Sequence, residues 1–146
     1  MAEQEVGGRI EQRALLRKEK EPPSTTVLIR GGVDTRDKLR RHAKRTARAW
    51  SLDGKPLLGI SVFAALGSSL EDLLRRRFAS FRMVHLPTVA RLARHGFHLL
   101  PTGQHPHFTV RLSSADDSEL ERLRAALGNV QPNPQYARDI TWQEAR

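Results

Sequence analysis

The run from Pro56 to Gly67 constrains the fold most, because it is the longest charge-free run rich in large apolar residues. Its branched and aromatic side chains, such as Ile60, Val62 and Phe63, favour a β-strand, and Pro56 and Gly67 mark its ends. Apolar and polar residues do not alternate cleanly along the run, which predicts a central strand covered on both faces. We expect the rest of the chain to be arranged around this strand.

The composition is typical of one globular domain. The chain has 146 residues, of which 38% are hydrophobic and 28% charged, so a sizeable core can form. No apolar run approaches the length of a membrane span, and the N-terminus lacks the features of a signal peptide. There is no cysteine, which excludes disulfides and thiolate metal sites. We expect a cytoplasmic protein with no cofactor, no bound metal and no membrane partner.

Other segments predict strands and helices on both sides of the central strand. Turn residues, capping residues and hydrophobic spacing predict the order β-α-β-α-β-α-β-β-α. The fold class is therefore α+β, a single compact domain with a mixed sheet and helices packed on it. Alternation in the first half favours some parallel pairing, and the last two strands favour an antiparallel hairpin. The flanking strands are expected at residues 25–30, 82–86, 97–100 and 107–112, and the helices at about 35–50, 69–78, 87–95 and 116–127.

Proline positions predict the domain boundaries. Residues 1–22 read as a helical or flexible extension that ends at two prolines. Residues 23–128 form the predicted globular α+β domain. Residues 129–146 read as an extended tail, anchored if at all by Tyr136 or Trp142.

The positive charge is concentrated in the middle of the chain. Residues 22–112 hold sixteen Lys and Arg against five Asp and Glu, a net charge of +11. Such a field favours a polyanionic partner. Arginine outnumbers lysine twenty to five, so the composition of a GC-rich genome is an alternative explanation for the excess.

The helix predicted at about 35–50 carries much of this charge. It holds seven bases and one acid between residues 36 and 48. We expect it to contact nucleic acid phosphates, RNA in preference. His42 and Trp50 are expected to pack against the domain, and aromatics are too few for a base-stacking platform. The predicted phosphate-contacting residues are Arg40, Arg41, Lys44, Arg45 and Arg48.

The strand at 107–112 carries the residues best suited to chemistry. Side chains two apart on a strand share a face, so His107, Thr109 and Arg111 are expected to line one surface. Histidine exchanges protons near neutral pH, and a hydroxyl and a guanidinium can hold phosphate oxygens. We predict catalytic roles for His107 and Thr109 and a binding role for Arg111, with ordinary strand positions as the alternative.

The segment from His107 to Val110 resembles one of the two His-x-Thr-x motifs of the two-histidine phosphoesterases. The resemblance implies a partner motif on the central strand and action on RNA ends or cyclic phosphates. The central strand has Gly59 where the family's histidine is needed, followed by Ser61. The predicted phosphodiester chemistry therefore centres on His107 alone.

The strand ending at Arg30 resembles the start of the site in some ADP-ribosyltransferases. The resemblance implies a following serine, for which Ser61 is placed on the next strand, and then a glutamate. No glutamate occurs in residues 72–118, where it should fall. The alternative is that Arg30 pairs with Asp34 or Asp53.

Two other functional classes fit the same charge pattern. The basic surface could meet an acidic protein, as in one member of a bacterial toxin–antitoxin pair. The chain could also be a degenerate transferase or phosphoesterase fold that is kept for binding. Whether the protein is an enzyme, and its oligomeric state, are left open by the sequence.

Overall fold

The computed structural model describes residues 12–13, 16–67 and 69–137, and every structural statement concerns those residues. Nine strands and four helices are found within them. In chain order they are β1 Gln12–Arg13, β2 Leu28–Gly31, α1 Arg36–Ala49, β3 Trp50–Leu52, β4 Lys55–Pro56, β5 Gly59–Ala64, α2 Leu70–Arg77, β6 Met83–His85, α3 Val89–Arg94, β7 Leu99–Leu100, β8 His107–Arg111, α4 Asp117–Leu127 and β9 Val130–Pro132.

Six strands form one antiparallel sheet in the order β7-β8-β5-β2-β6-β9. The predicted α+β class, with helices packed on a sheet around a central strand, is confirmed. The parallel pairing expected in the first half does not occur in this sheet. Helix α2 does connect two strands of the same direction, β5 and β6, but β2 lies between them and is antiparallel to both.

A second sheet, β1-β3-β4, was not predicted. Strands β3 and β4 form a hairpin around Asp53 and Gly54, whose φ angles of 53° and 79° suit a tight two-residue turn. Strand β1 adds to β3 in parallel, and this is the one parallel pair found in the described residues.

One face of the large sheet packs against α1, α3 and α4. Ile60 and Val62 of β5 point to this side and are almost fully buried. They belong to a continuous apolar cluster with Leu39 of α1, Leu92 of α3 and Leu123 of α4. This cluster is the main core of the protein.

The opposite face is covered over only half of its width. Helix α2 packs Leu74 and Phe78 against Ile29 of β2 and Val84 of β6. Its eight residues span roughly 12 Å at 1.5 Å per residue, too short to reach across the sheet. The prediction that the central strand is covered on both faces is therefore wrong, because Ser61 of β5 is exposed.

Contacts cross both predicted domain boundaries, near residue 23 and near residue 128. Before residue 23, Leu16 forms a β-bridge with Thr102, and the Arg17 amide donates to the Pro101 carbonyl at 2.8 Å. No helix occurs in the described residues before 23, and residues 1–11 and 14–15 lie outside the described chain. The segment from residue 16 thus packs on the domain that was expected to begin at residue 23.

After residue 128, β9 extends the sheet by pairing with β6. Asn133 is buried and donates from Nδ2 to the Phe78 carbonyl at 2.8 Å. The guanidinium of Arg82 lies 5.3 Å from the ring centre of Tyr136, a predicted anchor, whereas Trp142 lies outside the described residues. Residues 129–137 therefore pack on the sheet, with Tyr136 among their contacts.

Candidate functional site

Helix α1 forms where the sequence predicted a basic helix. Thr35 is the N-cap of α1 and accepts a hydrogen bond from the Lys38 amide at 3.1 Å. Leu39 and Ala43 bury the apolar side of the helix. The helix ends at Trp50, which is extended and 38% exposed, so its expected burial in the core is wrong.

One side of α1 is neutralised by α4. Arg40 donates to the Ala115 carbonyl at 3.1 Å and forms ion pairs with Asp37 and Asp117. Arg36 lies 3.1 Å from a carboxylate oxygen of Glu121. Of the five residues predicted to contact phosphate, Arg40 is therefore already held by carboxylates.

The other side of α1 is exposed and carries a stripe that we call the basic face: Arg41, Lys44, Arg45 and Arg48. The spacing i, i+3, i+4, i+7 places the four side chains on one helical surface. Within the described part of the chain, no carboxylate oxygen lies within 4.0 Å of their charged nitrogens. These four cations are available to an anionic partner.

Strand β8 brings His107 and Thr109 beside β5. Phe63 is opposite His107 in the register, and Ser61 is opposite Thr109. A Cβ at Gly59 would lie 2.5 Å from a methyl carbon of Thr109, so no side chain fits there. The partner histidine implied by the phosphoesterase resemblance therefore has no room, and Ser61 is the polar residue that β5 contributes.

The hydrogen bonds of His107 fix its tautomer. Its Nδ1 lies 3.0 Å from the Thr102 carbonyl oxygen, which can only accept, so Nδ1 carries the proton. Its Nε2 lies 3.0 Å from the Ser61 hydroxyl oxygen and accepts from it. Burial of the ring lowers the pKa of His107 below its usual value of 6.5. His107 is thus a neutral base that faces a serine hydroxyl.

Thr109 supports this arrangement from below rather than facing a ligand. It is 4% exposed, and its hydroxyl lies 2.7 Å from the hydroxyl of Thr102. The Thr102 carbonyl also accepts from Arg17 at 2.6 Å. The Thr109 hydroxyl is thus paired and buried, and it contacts Thr102, the residue that orients His107.

Arg111 lies apart from His107 in the structure. It is exposed at the other end of β8, in a separate cleft of about 200 Å³ that includes His98, Glu119 and Arg122. Four residues along a strand correspond to roughly 13 Å. The predicted grouping of His107 with Arg111 on one site is therefore not formed.

Two clefts meet at Ser61, and together we call them the α1 groove. The larger has a volume of about 710 Å³ and includes His42, Phe63 and the cations of Lys38, Arg76 and Arg77. The smaller, of about 200 Å³, contains His107 and Thr102. The residues of α1 that line the groove recur every four positions: Lys38, His42, Thr46 and Trp50.

Arg30 fixes the backbone of Ser61 from beneath the groove. It is 7% exposed and donates to Asp34 at 2.7 Å and to the Ser61 carbonyl at 2.9 Å. Asp34 is one of the two partners predicted for it. A third hydrogen bond joins Arg30 to His42, whose pKa is lowered by burial and by the Arg30 charge.

The Arg30–Ser61 contact does not form the site implied by the transferase resemblance. Arg30 is 7% exposed and paired with Asp34, although it lines the larger cleft. No carboxylate of the described residues lines the α1 groove, so the third member of such a site is missing there.

His85 completes the buried network behind Arg30. Its Nδ1 lies 2.9 Å from the Gly128 carbonyl, and its Nε2 has no hydrogen-bond partner in the described structure. Burial lowers the pKa of His85, against the raising effect of Asp34. The carboxylate of Asp34 lies 3.8 Å from Nε2.

Comparisons with family models, with curated proteins and with solved structures find no match to this chain. The described residues contain no group of three His, Asp or Glu side chains placed to hold a metal. None of their helices has the length and apolar character needed to cross a membrane. Any function must therefore be inferred from the geometry of the site. The protein has an α+β fold with a basic helix beside a Ser–His pair.

Sequence reasoning missed the pairing of Ser61 with His107. The signal was present in β5, where Ile60, Val62 and Ala64 alternate with Gly59, Ser61 and Phe63. That pattern places Ser61 on the outer face, diagonal to His107 across the β5–β8 pair. The high hydrophobicity of the run hid this alternation.

Proposed function

We propose that this protein binds nucleic acid, RNA in preference, through the basic face of α1. The observation that carries the proposal is the stripe of four exposed cations without carboxylate partners in the described chain. Arg and Lys aligned on one helical surface neutralise backbone phosphates independently of base sequence. The contrast with Arg36 and Arg40, which α4 neutralises, supports an outward role for the remaining four.

The basic face borders the α1 groove. The charge of Arg45 is close enough to lower the pKa of His42, whose burial has the larger effect, and His42 lines the groove. Lys38, Arg76 and Arg77 continue the positive charge into the larger cleft. A cleft of about 710 Å³ is in the size range of small-ligand pockets and suits a nucleotide of a single strand rather than a duplex. We therefore favour single-stranded RNA.

Salt dependence of binding tests the proposal. With four phosphate contacts on a single strand, the logarithm of the affinity should fall with the logarithm of salt concentration with a slope of about −3. Fluorescence polarisation of a labelled single-stranded RNA measures this slope. Replacing Arg41, Lys44, Arg45 and Arg48 by Gln should weaken binding to all sequences and flatten the slope.

A second quadruple variant provides the matched control. Lys18, Lys20, Lys55 and Arg94 are exposed cations away from the basic face, and their replacement by Gln removes the same net charge. The control should retain most of the affinity and slope. Equal losses in both variants, or wild-type affinity independent of salt, would reject the basic face as an RNA site. Tight binding to an acidic protein without RNA affinity would then support the protein-binding alternative.

Phosphodiester chemistry is a second candidate function, favoured by the Nε2 lone pair of His107 in the groove. We expect His107→Ala to abolish turnover of a 2′,3′-cyclic nucleotide while RNA affinity remains nearly unchanged. Chromatography of the nucleotide products measures the turnover. Equal turnover by wild type and variant would assign the activity to a contaminant or to other residues.

A further inference from the structure

We infer that Ser61 is a nucleophile activated by His107, and that its substrates are phosphodiesters. The inference deepens the proposed function, on which its choice of RNA phosphodiesters rests. It concerns a residue and a covalent step that binding through the basic face does not require.

The Ser61–His107 pair has the three parts of an activated serine. The hydroxyl lies 3.0 Å from Nε2 of His107, and Ser61 is exposed to the groove. The base is oriented by a third group, since Nδ1 of His107 donates to the Thr102 carbonyl at 3.0 Å. That carbonyl is held in turn by Arg17. The imidazole therefore cannot rotate freely away from the serine.

A hydrogen bond also fixes the backbone of Ser61, which carries this hydroxyl. The Ser61 carbonyl accepts from the buried Arg30 guanidinium, which Asp34 fixes on its other edge. The ion pair of Arg30 with Asp34 is buried and therefore costly to form. It fixes β5 at the point where the pairing of β2 with β5 ends. Arg30 is thus a positioning residue that acts through the backbone of Ser61.

Charge beside the pair selects the substrate class. The Arg77 guanidinium lies 4.9 Å from the ring centre of Phe63, and that ring lies 5.2 Å from the ring of His107. Lys38 lines the larger cleft on the same side of Ser61, as does Arg76, whose guanidinium is paired with Asp72 at 3.0 Å. Cations placed this way favour an anionic electrophile and stabilise the charge that develops at a phosphoryl group. A neutral ester has no ground-state charge for these cations to attract, so it gains less from them than a phosphodiester anion does.

The reaction balances in two steps. Ser61 Oγ attacks phosphorus, the Oγ–P bond forms, and the bond from phosphorus to the leaving alcohol oxygen breaks. The hydroxyl proton passes to Nε2 of His107 and then to the leaving oxygen. Water next attacks the phosphoserine diester, its proton passes to Nε2 and on to Ser61 Oγ, and a phosphomonoester is released. No oxidant, reductant or metal is consumed.

A fluorophosphonate probe tests the nucleophile directly, because attack forms an Oγ–P bond and expels fluoride. We expect the full chain to gain one adduct, located on Ser61 by peptide mass spectrometry. Ser61→Ala should remove it, and His107→Gln should slow labelling by about 100-fold or more. Ser80→Ala, which removes another exposed serine, should label normally. Circular dichroism melting checks that each variant is folded.

Turnover and binding assays separate the possible failures. Hydrolysis of bis(4-nitrophenyl) phosphate in preference to 4-nitrophenyl acetate supports the substrate class, and the reverse preference overturns it. Absence of an adduct on Ser61, or labelling unaffected by His107→Gln, overturns the nucleophile even if RNA still binds the basic face. An adduct on Ser61 in a protein without RNA affinity overturns the proposed function and the choice of RNA, while supporting the nucleophile.

Discussion

The outer face of the large sheet has two halves that differ in cover and in chemistry. Over β2 and β6, α2 packs an apolar layer in which Leu74 and Phe78 are nearly inaccessible. Over β5 and β8, the α2 cluster reaches only Phe63, and the outward side chains of Ser61 and His107 line the α1 groove. We call these the covered half and the open half.

The difference shows how one strand can serve stability and chemistry together. The inner side of β5 contributes Ile60 and Val62 to the main core, which fixes the strand. Its outer side can then carry polar groups, because α2 is too short to cover it. The largest losses of stability are therefore expected in the covered half, and the largest losses of chemical function in the open half.

The largest stability effect should come from Phe78→Ala in the covered half. The side chain is 6% exposed and contacts the rings of Phe63 and Phe81, so its removal leaves a cavity. We expect a loss of about 3–5 kcal/mol in the free energy of unfolding. Ser61→Ala should cost about 1 kcal/mol or less, since one exposed hydrogen bond is lost. Urea denaturation of both variants checks the comparison, and similar costs would show that the two halves are not energetically distinct.

Arg30→Met probes the connection between the two halves. It leaves Asp34 buried without its main partner and frees the Ser61 carbonyl, at a cost of about 3 kcal/mol. Adding Asp34→Asn should return part of that loss, because the uncompensated charge is removed. Denaturation of the single and double variants measures this recovery. If the double variant were as unstable as the single one, the loss would come from packing rather than from an unpaired carboxylate.

A smaller effect is expected from the segment before residue 23, which contacts β7 through Glu21 and Phe108 of β8 through Arg17. The predicted domain boundary at residue 23 implies that a chain spanning residues 23–138 melts close to the full chain. That shorter chain lacks the hydrogen bond from Arg17 to Thr102 and the one from the Leu99 amide to Glu21, of 2.6 and 2.9 Å. We expect a loss of about 1–3 kcal/mol in the free energy of unfolding. Labelling of Ser61 by the fluorophosphonate probe, which depends on His107, should be slower.

A chain spanning residues 16–138 is the control for that deletion, since it keeps both hydrogen bonds. It should melt closer to the full chain than 23–138 does, as measured by calorimetry. Equal melting temperatures for the two shortened chains would restore residue 23 as the start of the domain.

The sequence predicted the elements that carry a local signal. Helix α1 was recognisable from the N-cap Thr35 and the buried spacing of Leu39 and Ala43, and α4 from its leucines closed by Gly128. No such local signal specifies which strands pair. The position of β2 between β5 and β6 depends on contacts between strands that are distant in sequence. The two-residue β4 and β1 are too short for periodicity to reveal.

The candidate site was predictable only in part for the same reason. His107 stood out by its chemistry, and the exposure of the basic face followed from helical spacing. Ser61 became its partner through the register between β5 and β8, which residue types alone do not specify. The ion pair between Arg40 and Asp117 and the hydrogen bond between Thr109 and Thr102 likewise join residues that are distant in the predicted pattern.

The smallest expected effect is a gradual loss of stability in mild acid, to which both regions contribute. Burial lowers the pKa values of His85 and His107 below their usual 6.5. The unfolded chain therefore binds protons more readily, and the stability from these neutral rings, present above about pH 6.5, declines as the pH falls towards the folded-state pKa values. Thermal melting at several pH values from about 7.5 down to about 5.5 measures the decline. His107→Gln should flatten this pH dependence through the open half, and His85→Gln through the buried network. If the wild-type melting temperature stays level over this range, the hydrogen bonds of His107 with Ser61 and Thr102 do not keep the ring neutral.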